Sequence, residues 1–181
     1  MSGQFAIHIK ASIFAGFIMS FPYVFWEFWR FVSPALYDNE QKLARRIVFF
    51  SSFLFIVGVL FGYYIIAPLA VNFLGAYQIS SLVDNQISIN SFISTIMTVC
   101  LANGFIFELP ILVYFLTKIG LLTPDLMRTY RKHAMVITLI LSAIITPPDI
   151  ISQILVSLPL VVLYEISIGI SARIIQNSNK S

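Results

Sequence analysis

Charged side chains in this sequence gather in a few short intervals, and the chain between them is apolar. Ile47 to Val83, Asn85 to Phe107, Ala134 to Pro148 and Ile150 to Tyr164 contain no Asp, Glu, Lys or Arg. Crossing a bilayer takes ~20 predominantly apolar residues. The pattern therefore predicts five helices, at 5–31, 47–73, 91–119, 132–145 and 151–173. The fourth is short: at ~1.5 Å per residue its apolar part covers about 21 Å of a ~30 Å hydrocarbon core, so it thins the bilayer or shelters behind neighbours. The expected fold class is an all-α, polytopic membrane helix bundle with five spans, forming a single integral membrane domain over residues 1–181. MSGQFAIHIK has no basic region ahead of its apolar run, and that run is too long for a secretory signal, so the first helix is expected to stay in the protein.

Composition agrees with the pattern. Hydrophobic residues make up 59% and charged residues 10%, with a mean hydropathy of +0.91, against roughly 25% charged residues in ordinary soluble domains. One cysteine, Cys100, excludes a disulfide framework and any Cys-based metal site. A pI near 9.1 would suggest nucleic acid in a soluble chain, but the basic residues here fall in short loops and report topology, so no nucleic-acid partner is expected. Lys42, Arg45 and Arg46 follow the first span, with Arg30 at its edge, and Lys118, Arg128, Arg131 and Lys132 lie between the third and fourth. The stretch from Leu74 to Asn90 has neither Lys nor Arg, nor does the turn at Pro147 and Pro148. By the positive-inside rule the basic loops and the tail with Arg173 and Lys180 are cytoplasmic, giving an N-out, C-in orientation.

Glu108 lies well inside the third predicted span, where an ionisable group costs at least ~2.5 kcal/mol on insertion scales. It is expected to face protein or water. Gly104, one turn earlier on the same face, offers room for a partner or water, and Pro110 frees the carbonyl of Ile106 and kinks the helix. Two readings stand for Glu108, a functional intramembrane carboxylate and a structural bond to a neighbouring helix. Glu165, beside Tyr164 in the last span and with Gln153 further along it, favours the structural reading, since it lies close enough to the inner interface to snorkel.

FVSPALYDNEQKLARR reads as a short interfacial helix with Ser33 as N-cap and Pro34 at the first position. Asp38 has a helical partner in Lys42, whereas Glu40 is followed three and four residues later by Leu43 and Ala44. That carboxylate is either uncommitted and able to receive a guanidinium, or simply solvated. LTPDLMRTYRKHA begins a helix capped at Thr123 and Pro124, with Arg128, Arg131 and Lys132 on one basic face suited to lipid headgroups. In TPPDIISQ, Pro147 and Pro148 stop the fourth helix and Asp149 caps the fifth. Gly58 and Gly62 make a GxxxG, and Ala11, Ser12, Ala15 and Gly16 give small residues at the same spacing; both faces allow close packing, within the chain or between copies. His8 and His133 are far apart, no His, Asp and Glu cluster has metal-ligand spacing, and neither a Gly-rich phosphate loop nor a G-x-S-x-G elbow occurs. No enzyme, metal or cofactor is expected.

FWRFVSPALYDNEQKLARR, FELP at Phe107 to Pro110, LLTPDLMRTYRKHA, and ITPPDIISQ followed by LPLVVLYEI together resemble the TatC family, the membrane-embedded core of the twin-arginine protein translocase, from about Ala6 to Arg173. The resemblance implies a cup with short last helices that receives signal peptides and exports folded proteins, driven by the proton-motive force. It implies Phe31 and Glu40 as contacts of the two signal-peptide arginines, and Glu108 as the intramembrane polar group of the translocation path. It also implies that the outer turn with Pro147, Pro148, Asp149 and Gln153 is the region where small single-span TatA-like and TatB-like subunits dock. Homo-oligomerisation in a larger complex, contact with membrane lipids and a bacterial inner-membrane location follow from the same resemblance. Family members have six helices, a charged N-terminal tail and a long first outer loop. Lacking the tail, the first helix and most of that loop, this chain is expected to be a fragment or the product of a mis-started reading frame. The alternative reading is a proton-coupled secondary transporter or channel subunit using Glu108 and Glu165.

Overall fold

The computed structural model describes residues 2–32, 41–76, 88–146 and 150–178, and among them every regular element is helical. Helix α1 spans Ser2–Val32 and α2 Gln41–Phe61; a π-helical turn at Gly62–Ile66 joins α2 to α3, Ala67–Ala76. Then follow α4 (Ile89–Ile106), α5 (Leu109–Lys118), α6 (Pro124–Thr129), α7 (Arg131–Ile145) and α8 (Ile150–Ser178). Gln4–Phe31, Arg46–Phe73, Ile89–Lys118 and Ile150–Gln176 are long and apolar enough to cross a membrane. The fourth expected span corresponds to α7, which has 15 residues, a length of about 22 Å at ~1.5 Å per residue.

Proline sets two interruptions. Pro68 has no N–H to return to the carbonyl of Tyr64, and the turn before it is wound so that Ala67 N–H reaches Gly62 O, five residues back. Pro110 does the same to Ile106, and the predicted kink is present as a break between α4 and α5 at Phe107 and Glu108. Gly120 ends α5: at φ +79° it takes the left-handed conformation that favours glycine, and Leu121 and Leu122 N–H both turn back to Leu116 O. The expected start of α6 is also found, with Thr123 Oγ1 accepting from Leu126 N–H at 3.3 Å and Pro124 in the first turn.

Lipid is as apolar as leucine, so helices in a membrane associate by close packing and hydrogen bonds rather than by escape from water. The centre of this bundle follows that rule. A Cβ on Gly58 would stand 2.6 Å from Asn103 O and 2.9 Å from Gly104 Cα, and one on Gly62 would stand 2.9 Å from Cys100 Cα. The GxxxG of α2 and its π turn thus lies directly on the α4 backbone, within the chain. Phe55, completely buried, fills the space beside Gly104 and stacks on Phe21 of α1, with ring centroids 3.6 Å apart and planes 7° from parallel. On the other side α8 is bolted to α5 and α6 by polar contacts: Thr117 Oγ1 donates to Ser171 Oγ at 3.0 Å, and Tyr164 Oη donates to Met127 O at 2.8 Å.

Candidate functional site

Glu108 sits at the α4–α5 break, as the residue preceding the first turn of α5 (φ −77°, ψ −6°). The break places its carboxylate at the positive end of a new helix, inside the long apolar segment Ile89–Lys118. Its side chain caps no N–H of α5. It turns to α2, where the Ser51 hydroxyl donates to Glu108 Oε2 at 2.7 Å. Ser51 is completely buried. The second oxygen, Oε1, is buried and has no hydrogen-bond partner among the described residues. One half of the carboxylate is therefore tied to a neighbouring helix, and the other half retains its capacity to accept. The space that Gly104 offered to a partner or water is filled by the chain itself, with the Phe55 ring and the Val59 side chain standing where a Cβ on Gly104 would clash.

Glu165 has a different environment. Its Oε2 accepts from Arg131 Nη2 at 2.7 Å, an ion pair between the first residue of α7 and α8 in which both side chains are about half exposed. Tyr164 beside it anchors on Met127 O. This is the structural use expected of Glu165, and it withdraws Arg131 from the basic face expected to meet lipid headgroups. Arg128 of that face lies 3.6 Å from Asp125. The two carboxylates of the transporter reading thus hold different partners on different helices, Ser51 on α2 and Arg131 on α7, and the structure gives that reading no support.

Phe31 stands in the last turn of α1 and is 85% exposed. Gln153, near the start of α8, donates from Nε2 to Leu139 O at 3.2 Å and so ties α8 to α7. Glu40, Pro147, Pro148 and Asp149 lie outside the described residues, as do Ser33, Pro34 and Asp38. Among the described residues no group of three or more His, Cys, Asp and Glu is arranged to hold a metal.

Sequence reading passed over Ser51, although Ser51 and Ser52 are the only hydroxyl residues between Arg46 and Gly62 and so mark the polar spot on that helix. It also passed over Glu27, which is 3.8 Å from Arg30 near the end of α1, and over Trp29, which is 2% exposed and packed against Ile47, Val48 and Ile111.

Comparison with known proteins places this architecture. The family model described as Sec-independent protein translocase protein (TatC) matches residues 1–159. The Sec-independent protein translocase protein TatC of Blattabacterium sp. subsp. Periplaneta americana (strain BPLAN) is 48% identical over 169 residues, covering 93% of this chain and 64% of that protein. The TatC of Helicobacter pylori (strain ATCC 700392 / 26695) is 42% identical over 165 residues, 91% of this chain and 65% of its own length. The chain thus spans just under two thirds of the length of these relatives. The crystal structure of a twin arginine translocase receptor, TatC, in DDM superimposes with a TM-score of 0.75 at 39% identity, covering 92% of this chain and 74% of that one. With apolar helices long enough to cross a membrane and these matches over nearly all of its length, the chain is an integral membrane protein that belongs to the TatC family of Sec-independent protein translocase proteins.

Proposed function

We propose that this chain acts as the signal-peptide receptor and core of a Sec-independent, twin-arginine translocase, which carries folded proteins across a bacterial inner membrane at the expense of the proton-motive force. The observation that carries the reading is the shared fold with a protein described as a twin arginine translocase receptor, at a TM-score of 0.75 over 92% of this chain. The whole chain is read as a single integral membrane domain, with the start of α1 outside and the basic loops and C-terminus in the cytoplasm.

In this reading the inner rim, at Phe31 and Glu40, receives the paired arginines of the signal peptide. Arginine suits such a rim because its planar guanidinium stays charged and meets a carboxylate through two parallel hydrogen bonds, which the point charge of lysine does not reproduce. Phe31, exposed at the end of α1, supplies an aromatic face to the same peptide. Deeper in the bundle, Glu108 is the intramembrane polar group that faces a polar part of the inserted signal peptide or of a partner helix. Small single-span TatA-like and TatB-like subunits dock at the outer turn, around Pro147, Pro148, Asp149 and Gln153, where the short α7 leaves the bundle shallow. Several copies then assemble in one complex among the membrane lipids.

Inactivating the gene that encodes this chain in its native cells tests the proposal. A folded reporter carrying a twin-arginine signal peptide is expected to remain in the cytoplasm, while a Sec-type reporter is still exported. Undiminished export of the twin-arginine reporter would contradict the proposed role.

A further inference from the structure

Three buried polar atoms have no hydrogen-bond partner among the described residues: Trp29 Nε1, Ser52 Oγ and Glu108 Oε1. Orphaned buried groups are few in native proteins, and these three share one neighbourhood. Trp29 of α1 packs against Val48 of α2 and Ile111 of α5. Ser52 follows Val48 by one turn on α2, and Glu108 precedes Ile111 by about one turn. Ser51, next to Ser52, already holds the other oxygen of Glu108 at 2.7 Å. The orphans therefore lie on the stretches of α1 and α2 and at the start of α5 that these contacts bring together, and none of them satisfies another directly.

Their chemistry is complementary through an intermediary. An indole N–H only donates, an ionised carboxylate oxygen only accepts, and a hydroxyl does both. A molecule that accepts from Trp29 and donates to Glu108 and Ser52 meets all three needs, and a water molecule with two to four polar partners is the usual occupant of such a place. We infer that Trp29, Ser52 and Glu108 together bind an internal water at the α1–α2–α5 junction, with the indole donating to the water oxygen and the water donating to Glu108 Oε1 and Ser52 Oγ. The site makes Trp29 and Ser52 positioning residues for the intramembrane carboxylate: Ser51 fixes one oxygen of Glu108, and the bound water fixes the other and links it to α1. This inference concerns the chain's own packing and does not depend on the translocase reading.

The chain contains two tryptophans, Trp26 and Trp29, which makes the site accessible to measurement. The full chain, labelled with ¹⁵N at the indole nitrogens and reconstituted in lipid nanodiscs, gives two indole N–H signals, assigned by Trp26→Phe or Trp29→Phe. The Trp29 signal is expected to show a magnetisation-transfer contact to water, despite a residue exposure of only 2%. Ser52→Ala and Glu108→Gln are each expected to shift that signal, and neither substitution touches Trp29 covalently. A Trp29 signal without a water contact in the unsubstituted protein would overturn the site. A water contact that persists with its chemical shift unchanged in Ser52→Ala would overturn the assignment of Ser52.

Discussion

Glu108 and Glu165 are both carboxylates in long apolar helices, and the bundle treats them in opposite ways. Around Glu108 the chain is built tightly: α2 lies on the α4 backbone through Gly58 and Gly62, Phe55 fills the space at Gly104, and a fully buried serine meets the carboxylate at 2.7 Å. Around Glu165 the helices are joined through polar side chains, with a half-exposed Arg131 as partner and with side-chain bonds that tie α8 to α5, α6 and α7. The difference lies in what holds each region. Backbone contact leaves no freedom at the first, whereas adjustable side chains join the helices at the second. The first region is a rigid frame around one buried carboxylate, and the second is a clamp of polar side chains on α8.

The sharpest way to break the contrast is to add a methyl group to the rigid frame. Gly58→Ala places a carbon 2.6 Å from a backbone carbonyl and 2.9 Å from Gly104 Cα, neither of which can swing aside. A loss of about 3 kcal/mol of stability, at the upper end of ordinary overpacking, is expected, read as a lower thermal unfolding midpoint of the purified protein in detergent. Gly16→Ala is the control, since nothing lies within 4 Å of a Cβ there, and it should leave the midpoint unchanged or raise it slightly through helix propensity. Equal effects of the two substitutions would refute the account of the α2–α4 contact.

Removing the serine hydroxyl comes next. Ser51→Ala leaves Glu108 with neither oxygen bonded among the described residues, and a buried polar group deprived of its partner costs about 1–2 kcal/mol in a membrane bundle. Ser51→Thr keeps the hydroxyl and should recover most of that loss in the same unfolding measurement. On the polar side, Tyr164→Phe removes the bond to Met127 O and is expected to cost about 1 kcal/mol. The smallest effect belongs to Arg131→Gln. Because both partners of its ion pair are about half exposed, a loss below ~1 kcal/mol is expected, shrinking further at high salt. A loss larger for Arg131→Gln than for Ser51→Ala would invert the comparison.

Much of the frame was legible in the residue pattern, because its causes are local. Long uncharged runs give helices, Pro110 gives the break at Glu108, and Thr123 with Pro124 gives a capped helix start. Gly58 and Gly62 announced a close contact, although not the helix it would be made with. What escaped depends on residues far apart in the chain. Ser51 and Glu108 are separated by 57 positions, and Arg131 and Glu165 by 34, so no periodicity links them. Gly104 illustrates the same limit: a small residue next to a carboxylate predicts space, and only the packing shows that Phe55 takes it. The π turn before Pro68 had a local signal in that proline, yet a run of uniformly apolar residues gives no sign of how the extra carbonyl is accommodated. Trp29 and Ser52 read as ordinary core and helix residues until their unbound atoms are seen at one junction.

The central claim, that the chain receives twin-arginine signal peptides at its inner rim, is tested most directly by a photocrosslinking amino acid at position 40 in the intact protein, within its native membrane. The account predicts strong capture of a signal peptide with its Arg-Arg pair and much weaker capture of the same peptide with Lys-Lys. Equal capture of both peptides would contradict it.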